Sequence, residues 1–130
     1  MTKRIKSYRD PIVWQKSIDL VDACYMATRR LPAVEMYGLT SQIRRSAVSI
    51  AANIAEGHGR NGPGQFLHQL SVARGSLREL ETLILIAHRQ RFIKAETFRA
   101  LADRTDEIGR MLFGLSTSVA ASSAAGAVPP

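Results

Sequence analysis

The ten residues from Ser46 to Ala55, Ser-Ala-Val-Ser-Ile-Ala-Ala-Asn-Ile-Ala, read as helix and carry no charge. A helix on the outside of a small bundle turns a charged face to water. This one offers only Ser46, Ser49 and Asn53 on its least apolar side. Both sides are therefore expected to be buried, one in the chain's own core and the other against a second copy. Ser46, Ser49, Ala52, Asn53 and Glu56 are the candidate oligomer-interface residues.

The rest of the chain supplies the other walls of a bundle. The first helix is expected to start with Asp10 as N-cap and Pro11 at its first position, where a proline loses no hydrogen bond. Val13, Ser17, Leu20, Cys24, Ala27 and Leu31 then recur at steps of three and four, and Pro32 ends the pattern. Thr40 is the expected N-cap of the second helix, Ile43, Ala47, Ile50 and Ile54 its stripe, and Gly57 its stop. Residues 57–64 form a glycine-rich loop. The third stripe is Phe66, Leu70, Ala73, Leu77, Leu80, Ile84 and Ala87. Gly75 inside it costs about 1 kcal/mol of propensity and is expected to mark the close approach of another helix. The fourth is Phe98, Leu101, Thr105, Ile108, Leu112, Leu115 and Val119.

Four such stripes with short connections and no competing strand pattern predict an all-α, up-down-up-down four-helix bundle assembling into a homo-oligomeric ring. Residues 1–9 are a basic arm, 10–119 the bundle and 120–130 a disordered tail of small residues ending in Pro-Pro. At about 26 Å the second helix is too short to cover the third, at about 40 Å. Part of the third helix must meet the connection before the second helix, a neighbouring chain or water.

Charge narrows the partners. Over 130 residues, 18 Lys and Arg against 11 Asp and Glu give +7, which favours a polyanion such as RNA or DNA. Residues 1–60 hold ten of the cations and five of the acids. Lys3, Arg4, Lys6 and Arg9 form an arm suited to tracking a nucleic-acid backbone. Arg60 sits in the glycine-rich loop. Arg44 and Arg45 fall early in the second helix, where the macrodipole opposes cations. Two things can hold them there: a phosphate, or a carboxylate such as Glu35, Glu56 or Glu79. No sequence-reading module accompanies these clusters, so binding would be to the backbone.

Catalytic constellations are missing. No glutamate has a histidine three residues on, as a bundle di-iron site requires. His58, His68 and His88 lack zinc-like spacing. Pro63 and Gly64 stand where a phosphate loop needs Lys and Ser or Thr. Cys24, the sole cysteine, sits in an apolar stripe and excludes an internal disulfide. With no signal-peptide core and no long apolar run, the chain is expected to be cytoplasmic, off the membrane, non-enzymatic, and free of cofactor and metal.

Several segments together resemble a known family. They are Val13-Trp14-Gln15-Lys16, Leu31-Pro32, the run Tyr37-Gly38-Leu39-Thr40-Ser41-Gln42-Ile43-Arg44-Arg45, Asn53-Ile54-Ala55-Glu56-Gly57, and Ala73-Arg74-Gly75-Ser76-Leu77. The set resembles the four-helix-bundle proteins encoded in intervening sequences of bacterial 23S rRNA genes, over roughly residues 8–115. The resemblance implies a basic bundle in rings of five. It also implies kinship with accessory variability-determinant proteins of diversity-generating retroelements, which act with a reverse transcriptase and bind nucleic acid. A reverse transcriptase or another protein is then an implied partner. Relatives often carry Pro-Ala where this chain has Ala51-Ala52, which should straighten the helix. The reading that results is backbone-directed binding of nucleic acid, RNA first. The alternative is an adaptor ring that binds a protein and no nucleic acid.

Overall fold

The structure, a computed structural model, describes residues 11–59 and 62–126. These residues form four α-helices and no strand: α1 (Ile12–Thr28), α2 (Leu39–Gly59), α3 (Pro63–Arg89) and α4 (Ala95–Gly126), with a short 3-10 turn at Ala33–Glu35. Contacts run in a cycle, α1 with α2, α2 with α3, α3 with α4 and α4 with α1.

The stripes make the core. Leu20 and Cys24 of α1, Ile43, Ala47, Ile50 and Ile54 of α2, Leu70, Ala73, Leu77, Leu80 and Ile84 of α3, and Leu101, Ile108 and Leu112 of α4 form one buried cluster. Removing a side chain such as Leu80 would cost about 2–5 kcal/mol, because the site collapses only partly. Hydroxyls inside the core bond back to their own helices, Ser17 to the Val13 carbonyl at 2.7 Å and Thr105 to that of Ala102 at 2.9 Å. Their burial therefore leaves no unmet donor.

Side-chain pairs fix directions. Ser49 meets Ser76 at 2.7 Å, and Gly57 meets Phe66 and Gln69, so α2 and α3 run in opposite senses. His88 stacks on Phe98 at 4.4 Å, and Gly109 faces Leu77, so α3 and α4 do too. Lys16 of α1 meets Glu107 of α4 at 2.7 Å, and that pairing holds the Glu107 carboxyl below its ordinary range.

Boundaries differ from the sequence expectations for local reasons. Pro11 is itself the N-cap of α1, its carbonyl accepting from Trp14 and Gln15, and Asp10 lies outside the described residues. Thr40 is not the cap of α2 but lies buried in its first turn. The Leu39 N–H instead donates to the Glu35 carboxylate at 3.2 Å. Gly57 does not stop α2, which continues to Gly59. A Cβ on Gly57 would stand 2.8 Å from that of Gln69, so the missing side chain admits α3. Gly75, expected at a close approach, faces open space. Helix α4 continues to Gly126, well into the expected disordered tail. Alanine is the best helix former, and this segment is alanine and serine with its prolines held back to 129 and 130.

Candidate functional site

Of the cations singled out in the sequence, Arg44 and Arg45 lie near the start of α2. Arg60 and the arm residues Lys3, Arg4, Lys6 and Arg9 lie outside the described residues.

Arg44 is half-buried, and its partners are not carboxylates. Its Nε donates to Thr28 Oγ1 at 2.9 Å, and its guanidinium lies 4.5 Å from the centre of the Tyr25 ring. The Thr28 hydroxyl in turn donates to the Cys24 carbonyl at 2.7 Å. Arg44 thus ties the end of α1 to the start of α2. Glu35, offered as its acidic partner, caps α2 instead. Arg45 is exposed on the outer face of α2.

Around these two the structure assembles a cationic end. Ten residues before Ser49 is Leu39, and ten after its partner Ser76 is Ile86. Arg89 and Arg91 therefore lie beyond the start of α2, level with the α1–α2 connection. The segments 29–45 and 89–96 together hold Arg29, Arg30, Arg44, Arg45, Arg89, Arg91 and Lys94 against Glu35 and Glu96. All seven cations except Arg44 are exposed.

Arg91 is placed there at a backbone cost. It alone among the described non-glycine residues has a positive φ, 65°. The Phe92 N–H bonds to the Ala87 carbonyl and the Arg91 N–H to that of His88, each at 2.9 Å. This is a Schellman ending of α3, whose left-handed position is normally glycine. An arginine there carries strain of roughly 1–2 kcal/mol. Sequence reading missed Arg29, Arg30, Arg89, Arg91 and Lys94. The available signal was basic residues on both sides of each connection of one bundle end; comparing halves of the chain mixed the two ends.

The interface candidates divide. Ser46 is buried within its own chain, and Ser49 and Asn53 are half-buried. Asn53 Nδ2 donates to the Ser49 carbonyl at 2.8 Å and lies 3.0 Å from its hydroxyl, which reaches Ser76. The polar side of this helix therefore contributes to the α2–α3 seam. What α2 turns outward is Val48, 43% exposed, and Ala52, between Arg45 and Glu56.

Burial pushes the Cys24 thiol up to about 12, so it stays protonated and unreactive at neutral pH. Among the described residues no three of His, Cys, Asp and Glu gather as a metal site would need, and no helix is long and apolar enough to cross a membrane. A second surface feature is apolar: Val34, Met36 and Tyr37 in the α1–α2 connection are exposed, Val34 at 84% and Tyr37 at 96%.

Comparison with known proteins gives a family. The model of the 23S rRNA-intervening sequence protein family matches residues 9–114. A solved structure, of a protein of unknown function from the S23 ribosomal protein family of Bacteroides thetaiotaomicron VPI-5482, is 23% identical with a TM-score of 0.76. The match covers 82% of this chain and 96% of that one, and at this identity it shows the fold alone. No curated protein matches the chain.

Proposed function

Since the chain belongs to the 23S rRNA-intervening sequence protein family, we propose that it is a cytoplasmic, non-enzymatic, up-down-up-down bundle that assembles into a ring of five and binds nucleic-acid backbone, RNA first. The observation that carries the binding is the cationic end, where seven basic residues stand against two acidic ones. Arginine forks fit phosphate oxygens, and exposed cations release counterions from a polyanion. A ring repeats this end around its axis, so weak contacts add through avidity. An arginine rather than a glycine at the strained position 91 supports a use for the charge there. Support for assembly is the outward Val48–Ala52 surface of α2, which has no charge of its own.

The adaptor reading draws on the exposed Val34, Met36 and Tyr37, an apolar patch suited to a protein partner, a reverse transcriptase included. Two measurements separate these readings. Sedimentation of the full chain should show an oligomer, and Ala52→Glu should break it by burying an unpaired charge; a wild-type monomer at micromolar concentration contradicts the ring. Structured RNA should bind at about 50 mM salt, with charge reversal at Arg30 and Arg89 weakening it and the oligomer unchanged. Absence of binding to both RNA and DNA under those conditions leaves the adaptor.

A further inference from the structure

The seam between α3 and α4 holds a groove that neither the cationic end nor the α2 face uses. Its volume is about 390 Å³, with Leu77 among its lining residues and Phe113 at its edge. Phe113 is 61% exposed, an uncommon position for a large aromatic ring. The Arg74 guanidinium lies 6.0 Å from the centre of that ring. Arg78 is matched by Glu81 at 3.2 Å, but Arg74 and Arg110 form no ion pair among the described residues. Asp106 is the remaining acid of the groove. A second hollow shares Glu81, Thr105 and Asp106 with it and continues the seam to Phe98, on which His88 stacks next to the cationic end. From Arg74 to Arg89 along α3 is fifteen residues, about 22 Å.

We propose that this groove holds an unpaired nucleotide of a single-stranded nucleic acid, its base stacked on the exposed face of Phe113 and its phosphates on Arg74 and Arg110. The inference rests on the nucleic-acid reading above and adds to it a second contact, one that needs bases. An aromatic face flanked by guanidinium groups is what sequence-tolerant single-strand binding uses, since every base has a π-face. A duplex keeps its base faces stacked and cannot use Phe113, so it engages the cationic end alone. The strand leaving the groove has the seam to follow toward Arg89.

The test compares three probes with the full-length protein at about 50 mM salt: a single-stranded RNA of about 12 nucleotides, the same strand made abasic throughout, and a duplex of equal length. The intact strand should bind about tenfold more tightly than the abasic one. Phe113→Ala should remove that preference and Phe113→Tyr should keep it, both with unchanged melting and sedimentation. Equal affinity of the wild type for intact and abasic strands overturns the groove and leaves the backbone reading standing. So does a preference that survives in a folded Phe113→Ala protein. Failure of all three probes to bind overturns both readings together.

Discussion

Arg91 offers a direct trade at the level of one residue. Its φ of 65° is a conformation glycine adopts freely and arginine does not. Arg91→Gly should raise stability by about 0.5–1 kcal/mol in thermal or urea melts, and weaken RNA binding in the same preparation. Loss of stability would mean that the side chain has a structural partner. Glycine also shows where residue type alone misleads. Gly57 and Gly114 both lie inside helices, but a Cβ at 57 would press on Gln69 and Phe66 while one at 114 meets nothing within 4 Å. Gly57→Ala should therefore destabilise by about 1–3 kcal/mol through overpacking, and Gly114→Ala should stabilise by about 0.5–1 kcal/mol through propensity. The two melting shifts should have opposite signs; equal signs would contradict the packing described. Reading Gly57 as a stop is reasonable from composition, because nothing in the local sequence says that Phe66 and Gln69 of the next helix will lie against it.

Elements whose periodicity is strong were legible in the sequence. Ile43, Ala47, Ile50 and Ile54, and Leu70, Ala73, Leu77, Leu80 and Ile84, are all buried as their spacing requires. Ends were less legible, because they are decided by single hydrogen bonds. The start of α2 shows this: Thr40 has the right chemistry for a cap, but Glu35, four residues before Leu39, reaches the open N–H first and also sets a negative charge against the helix dipole. Glu35→Ala should cost about 1 kcal/mol, with Glu35→Gln retaining part of it through the amide oxygen. Chemical denaturation of the two variants checks this, and equal loss in both would mean that charge rather than the hydrogen bond carries the cap. The far end of α4 was missed for the opposite reason. A run of alanine and serine has no apolar stripe to read, yet its propensity suffices to extend a helix already formed.

Charge at the scale of the whole molecule became interpretable only through topology. The sequence contains all seven cations of the proposed binding end, but they sit some sixty residues apart in two groups. The antiparallel course of α2 and α3 brings those groups to one level. Conversely, Arg44, expected to meet a phosphate or a carboxylate, is instead tied to Thr28 and Tyr25. The exposed Arg29, Arg30, Arg89 and Arg91 are thus better placed to meet phosphate than Arg44. The central claim is that this end neutralises nucleic-acid phosphates. Its most direct test is the affinity of structured RNA for the full-length protein across about 50–200 mM salt, for wild type and for the Arg30→Gln, Arg89→Gln double variant. The account predicts a steep linear fall of log affinity with log salt, its slope reduced by about 1.5–2 in the double variant as two phosphate contacts are lost. A slope that is flat in the wild type, or the same in both proteins, would contradict it.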